Sequence, residues 1–299
     1  MRSHNYVLPF VAFAMAGVQA QTVPSTPQFR GGDCSSLVVN HSYSQRFEGF
    51  LNMGGLVPSA GAGFVTFLPH GKMAGQVTLA IGQMAVIQDI VFDSNASTYS
   101  LSWDTTKTPA VCSGTTTQIA PGESPFDFQL IVTEDGQQIE MIHTDAGLIV
   151  GATGFPVPVA HCSNASLNGT YSYNMKGWGL ASPAQGFPPE QLLAGYYPFA
   201  FSGAMEFHPR ATSNSSVWWD TGSVNGTITT RAGTGTYKVN SNCTGTMLLP
   251  TGSPSRQAFN LELFVGKNGT LYVVNVDTDP IMGVPAFVLS GTLNRTGEE

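Results

Sequence analysis

The chain has 299 residues, a formal net charge of −7 and only 10% charged residues, against about 25% in a typical soluble domain. An acidic, charge-poor surface argues against nucleic acid and anionic membrane as partners, because both need a basic footprint. The 34 glycines and 19 prolines, with many Thr, Val and Phe residues, favour strands and turns over helices.

In chain order, the first feature is a basic start (Arg2) followed by an apolar run from Val7 to Gly17 and small residues at Val18 and Ala20. This pattern predicts a secretory leader over 1–20, with Gln21 as the first mature residue. The run is too short for a permanent membrane helix, and no later segment is long and apolar enough to be one. No membrane anchor is expected, and the predicted setting is extracellular or luminal. The cysteines form an even set (Cys34, Cys112, Cys162, Cys243), which suits an oxidising compartment. Nine asparagines head Asn-x-Ser/Thr sequons: Asn40, Asn95, Asn164, Asn168, Asn214, Asn225, Asn242, Asn268 and Asn294. They predict N-glycosylation, although Asn-Gly-Thr at Asn168, Asn225 and Asn268 is also good hairpin-turn chemistry.

The rest of the chain reads as one β unit written twice. "CSSLVVNHSYS" from Cys34 is answered by "CSNASLNGTYS" from Cys162, and "FLPHG" (67–71) by "FHPRA" (207–211). "STYSL" (97–101) precedes Cys112-Ser-Gly-Thr as "GTYKV" (235–239) precedes Cys243-Thr-Gly-Thr, and "IHTDAG" (142–147) is answered by "VDTDPI" (276–281). Short alternating runs, among them 62–68, 75–81, 97–103, 126–132 and 138–144, are separated by turn residues. Copy two repeats them at 197–207, 217–224, 226–230, 235–239, 259–265 and 271–276. "EDGQ" (134–137) and "KNGT" (267–270) mark matched hairpins. The one helical stretch predicted is "PPEQLLAGYY" (188–197). Seven or eight strands per unit define an all-β protein of two tandem antiparallel barrels or sandwiches, repeat 1 over 33–153 and repeat 2 over 161–296. The Pro-rich joint 154–160 is short enough to hold the units together. Four cysteines allow three pairings, and duplication favours Cys34–Cys112 and Cys162–Cys243.

The order Cys-Ser-x-Ala-Ser-Leu-x-Gly-Thr-Tyr, then Gly-Thr-Tyr-x-Val, Cys-Thr-Gly-Thr and a closing Thr-Asp strand resembles a family of secreted microbial proteins. That family is similar to the calycin-like barrels of the lipocalin and allene oxide cyclase type. The resemblance covers nearly all of copy two and, more weakly, copy one, which has "NHSYS" for "NGTYS" and an insertion, "WDTTKTP" (103–109). It implies a fold and not an activity. In architecture alone, two fused barrels of this type are also similar to fungal Diels–Alderases, which implies a cofactor-free cyclase.

No nucleophile elbow, zinc-protease motif, phosphate loop or dinucleotide fingerprint occurs, and the histidines and cysteines show no metal-ligand spacing. Neither a metal nor a cofactor is therefore expected. Asp145 and Asp279 are read as equivalent strand-closing residues. Copy two carries more chemistry-bearing side chains than copy one. Asp220, His208 and Tyr196 are the candidate catalytic groups, with Trp178, Tyr197, Trp218, Phe207 and Arg210 as candidate substrate contacts. Alternation allows only one of Trp218 and Trp219 to face inward, and with Trp219 outward Trp218 and Asp220 share the inner face. The expected activity is cyclisation or isomerisation of an apolar, polyketide- or terpenoid-like molecule, held folded while one or two donors stabilise developing charge. The alternatives are a non-catalytic carrier of such a molecule and a structural glycoprotein with filled barrels.

Overall fold

The computed structural model describes residues 32–52, 54–84, 86–106, 110–122, 124–158, 161–181, 192–209, 214–250, 258–278 and 285–297, with backbone alone at 86–89, 268 and 297. The leader 1–20, Arg210, Asp279, residues 107–109 of the copy-one insertion, 159–160 of the joint and 188–191 of the expected helix lie outside them.

Among the described residues the chain forms 17 antiparallel strands in two barrels. The first contains β1 (Ser42–Asn52), β2 (Leu56–Leu68), β3 (Lys72–Ile81), β4 (Val86–Phe92), β5 (Thr98–Asp104), β6 (Val111–Gln118), β7 (Phe126–Val132), β8 (Ile139–His143) and β9 (Leu148–Pro156). The second contains β10 (Gly169–Leu180), β11 (Tyr196–His208), β12 (Ser215–Val224), β13 (Thr227–Val239), β14 (Thr244–Leu249), β15 (Phe259–Val265), β16 (Leu271–Asn275) and β17 (Phe287–Gly297). The second barrel closes strand to neighbouring strand, with β17 returning to β10. In the first, β9 returns to β1 and β3 meets β5 only at Lys72↔Thr98, while β4 covers the rest of that β3 edge. The halves β4 and β5 thus do what β13 does alone, since β13 pairs with β12 along most of its length and with β14 at its end. The interruption is a turn in which Asp93 accepts the N–H groups of Asn95 and Ser97.

Each barrel has a closed end and an opposite end. The disulfides Cys34–Cys112 and Cys162–Cys243 lie at the closed ends, one in each barrel. Beside them short 3₁₀ turns at Ser35–Leu37 and Asn164–Leu167 bring Val38 and Leu167, both fully buried, over the core. The aromatic pairs Tyr43–Phe67 and Tyr171–Phe207 meet edge to face beneath them. The helix expected at 188–197 does not form in its described part. Leu193 and Tyr196 instead exchange both backbone hydrogen bonds around Ala194–Gly195, which carry φ of 51° and 84°. Positive φ at both central residues is the hairpin-turn conformation and is incompatible with a right-handed helix.

The barrels are packed against each other through the outer faces of β1–β3 and of β10 and β15–β17. Ala62 and Ala80 leave room for Phe264, Tyr272 and Val274, and Phe64 meets Phe264 edge to face at 5.2 Å. Polar ties reinforce the contact: Thr78 donates to Glu262 at 2.7 Å, and Lys176 pairs with Glu48 at 2.7 Å.

Candidate ligand cavity

An eight-stranded barrel is just wide enough to be filled by its own side chains or to hold one small ligand. The two barrels take different sides of that choice. Their registers match, so each interior position has a counterpart. Tyr43 stands opposite Val65 as Tyr171 stands opposite Met205, and Gly75 opposite Phe92 as Trp218 stands opposite Gly233. The last match is a size exchange. A Cβ at Gly75 would lie 2.5 Å from the Phe92 ring, and one at Gly233 would lie 2.8 Å from the Trp218 ring.

Away from the disulfides the second barrel is plugged. Phe199, Phe201, Phe259 and Phe287 form a connected ring cluster with centroid separations of 4.8–6.4 Å. Arg231 lies over Phe201 at 3.7 Å and forms a two-pronged pair with Asp220, at 3.0 and 2.5 Å. Tyr173 completes the group by donating to Asp220 Oδ2 at 2.7 Å. Burial, with Asp220 beside it, raises the Tyr173 phenol above its usual range, which keeps it a donor.

At matched positions the first barrel carries smaller or uncharged residues. Ser59 and Gly61 stand where copy two has Phe199 and Phe201; Val77 and Ile90 replace Asp220 and Arg231; Leu148 replaces Phe287. The result is a cavity of about 580 Å³ at this end of the first barrel. Its wall is almost wholly apolar, built from side chains such as Phe47, Val77, Leu79, Ile90, Phe92, Phe128 and Val150. It reaches the surface beside Val91 and Pro121, both exposed.

Among the described residues, three polar ones line it: Ser59, Gln118 and His143. His143 ends β8, with Phe128 and Phe126 edge-on at 4.8 and 6.1 Å. Its Nδ1 accepts the Asp145 N–H at 3.1 Å, so the neutral ring carries its proton on Nε2. Nε2 lies 3.3 Å from Asp145 Oδ2, in a geometry too bent for a hydrogen bond. Burial holds the imidazole pKa below its ordinary value, outweighing the pull of Asp145 and Asp127. The Gln118 amide nitrogen and the Ser59 hydroxyl are also buried without a partner.

The sequence-predicted residues do not share one site. Asp220, Trp218, Tyr197 and Phe207 belong to the filled interior of the second barrel, and Trp219 is 48% exposed on the opposite face of β12. Tyr196 and Trp178 face the first barrel instead. Tyr196 is fully buried between the barrels, donating to the Pro285 carbonyl at 2.9 Å and accepting the Gln83 N–H at 3.4 Å. Trp178 packs edge-on against Phe50 at 5.9 Å. His208 ends β11 on the outer face, 3.5 Å from Glu206. The expected equivalence of Asp145 and Asp279 is corrected. Asp145 accepts the N–H of Asp127, and Asp277 accepts that of the matched Asn260. Asp277 is therefore the structural partner, two residues before the position that matching the Thr-Asp pairs assigns. Among the sequons, Asn40, Asn95, Asn168, Asn242 and Asn294 are exposed. The side-chain oxygens of Asn164 and Asn242 are engaged by the backbone of Val239 and Thr244, and that of Asn214 is buried. Among the described residues no group of three His, Cys, Asp or Glu side chains could hold a metal ion.

Sequence reasoning passed over Gln118 and His143 because neither belongs to a motif. The alternation in "QIEMIHT" places Ile139, Met141 and His143 on one face. An alignment anchored on "FLPHG" and "FHPRA" also sets Ser59 and Gly61 against Phe199 and Phe201.

Among the described residues, the fold and cavity define a tandem β-barrel protein whose first barrel is hollow at one end and whose second has a packed interior. No protein-family profile matches the chain, and no curated protein sequence is detectably similar. Among solved structures it is similar to a protein of unknown function of the DUF3598 family from Nostoc punctiforme, at 11% identity and a TM-score of 0.22, over 88% of this chain and 98% of that one. A likeness at that level carries no argument about function.

Proposed function

We propose that this protein binds a small, predominantly apolar molecule in the first barrel, with the second barrel as its filled structural partner. The observation that carries this reading is the cavity of about 580 Å³, walled by apolar side chains at the positions where copy two places its plug. Ligand pockets run from about 300 to 1,000 Å³ with mostly apolar walls and few polar groups. A closed antiparallel barrel that is hollow at one end also supports the calycin-like kinship. Two disulfides suit an extracellular setting, which the leader and the exposed sequons support as the route of a secreted glycoprotein.

The test is titration with Nile red, a neutral dye that brightens in apolar surroundings. Saturable binding of one dye per chain is expected; its failure to bind overturns the reading.

A second reading is cofactor-independent ring closure of an apolar precursor. It is favoured by a buried neutral imidazole on the wall of an otherwise apolar cavity, where a donor can stabilise developing negative charge. On this reading the chemistry resides in the first barrel, and Asp220 serves the architecture of the second. Unchanged product ratios on incubation with the precursor, against a buffer control, would dismiss it.

A further inference from the structure

The polar side chains of the cavity carry information about its occupant. His143 is 7% exposed and Gln118 1% exposed, and both line the void. Each presents an N–H donor with no hydrogen-bond partner: Nε2 of His143, and the side-chain nitrogen of Gln118. The two residues stand on the same wall, on β6 and β8 either side of β7, where Gln118 is opposite Phe126 and His143 opposite Phe128. A buried donor left without an acceptor is costly, and most such groups in folded proteins are satisfied. The matched positions in the filled barrel are Leu249, which offers no polar group, and Asn275, whose side-chain nitrogen donates to the Phe287 carbonyl at 3.2 Å. At these two matched positions the filled barrel leaves no side-chain donor open, although elsewhere in it Trp218 Nε1 and the Tyr171, Tyr237 and Ser216 hydroxyls are also buried without a partner.

The charge pattern narrows the ligand further. None of the described residues lining the cavity is Asp, Glu, Lys or Arg. An ionised ligand would be stripped of water with no opposite charge to meet it. The Asp145 carboxylate, which accepts the Asp127 N–H, adds a negative charge 3.3 Å from His143 Nε2 and disfavours an anionic ligand further.

We propose that the ligand is a neutral molecule bearing a carbonyl oxygen (an aldehyde, ketone, ester or lactone) that accepts the Nε2–H of His143, with Gln118 as the second donor. This rests on the first barrel being the ligand site. A hydrocarbon would leave both donors unmet and a carboxylate would lack a counter-charge. Protonation of His143 would place a proton on Nδ1, directly facing the Asp145 N–H that Nδ1 now accepts. The Asp145 N–H thereby holds the neutral tautomer that carries its proton on Nε2.

The experiment is Nile red displacement by three molecules of one shape at pH 8: 2-acetylnaphthalene, 2-ethylnaphthalene and 2-naphthoate. The ketone is expected to displace the dye at about tenfold lower concentration than either of the others. In His143→Phe the ketone preference, read as the ratio of ketone to hydrocarbon displacement at whatever dye affinity the variant has, should fall severalfold. Equal displacement by ketone and hydrocarbon in the unaltered protein overturns the proposal, as does a preference undiminished in His143→Phe. Should that variant fail to fold, ¹⁵N-histidine spectra of the unaltered protein decide. The His143 Nε2 resonance should move on adding ketone and stay put on adding hydrocarbon; an unmoved resonance with ketone overturns the proposal. Failure of Nile red itself to bind removes the ligand site as a whole, which is a different outcome from loss of ketone preference.

Discussion

Replacing Ser59 with Phe transplants the side chain of Phe199 from the filled barrel into the hollow one. Ser59 faces inward from β2, and its hydroxyl is buried without a partner. It already carries a Cβ directed at the void, so the ring enters without moving the backbone. Gly61 offers no such entry, because a Cβ there would lie 2.7 Å from the Thr78 carbonyl. Burying a phenylalanine side chain contributes about 1.5–3 kcal/mol, and removing an unsatisfied hydroxyl adds roughly 1 kcal/mol. Ser59→Phe should therefore unfold at higher guanidinium concentration than the unaltered protein, with a gain of roughly 2–4 kcal/mol. The same ring occupies space that Nile red would use, so dye affinity should fall at least about tenfold. Equilibrium denaturation and dye titration on one preparation measure both. A variant that loses stability and still binds dye normally would refute the reasoning, since the position would then be packed rather than facing a void.

Asp220→Ala leaves the half-buried Arg231 among Phe201, Trp218 and Phe259 without its partner; a loss of about 2–4 kcal/mol is expected, with Nile red affinity unchanged. The double variant Asp220→Val, Arg231→Ile installs the apolar pair that the first barrel carries at Val77 and Ile90, and denaturation should show most of that loss recovered. His143 makes stability depend on pH. Its folded pKa lies below its ordinary value, so above about pH 6.5 the ring is neutral in both states and its contribution is constant. Below that, the unfolded chain takes up a proton the folded chain refuses, and stability falls as pH drops until the folded ring protonates; denaturation at pH 7.5 and 5.5 should show a smaller decline in His143→Phe. The disulfides span 78 and 81 residues, so reducing either should cost roughly 4 kcal/mol by loop entropy, read as a lower thermal midpoint.

Much of the architecture was legible in the sequence, because the alternating runs, turn residues and cysteine pairs act locally and occur twice. The pairing of Cys34 with Cys112 and Cys162 with Cys243 followed from the duplication. The helix at 188–197 was misread in its described part because Leu-Leu-Ala-Gly suits a helix, whereas the two-residue turn at Ala194–Gly195 and the aromatic strand beginning at Tyr196 decide the local structure. The richness of copy two in Trp, Asp and Arg pointed to a site there. In a barrel, however, large side chains fill space, and the same residues that look like chemistry make the plug. A void is encoded by what is small, and Ser59, Gly61 and Val77 attract no notice in a motif search. Tyr196 could not be assigned a side from sequence, because the contact that buries it comes from the other barrel.

The central claim is that the void belongs to the first barrel while the second is packed shut. Crystals pressurised with xenon test it most directly, since dry apolar cavities take up the gas. Xenon is expected among Phe47, Val77, Ile90 and Phe128 and nowhere among Phe199, Phe201, Phe259 and Phe287. Xenon within the second barrel, with none in the first, would contradict the account.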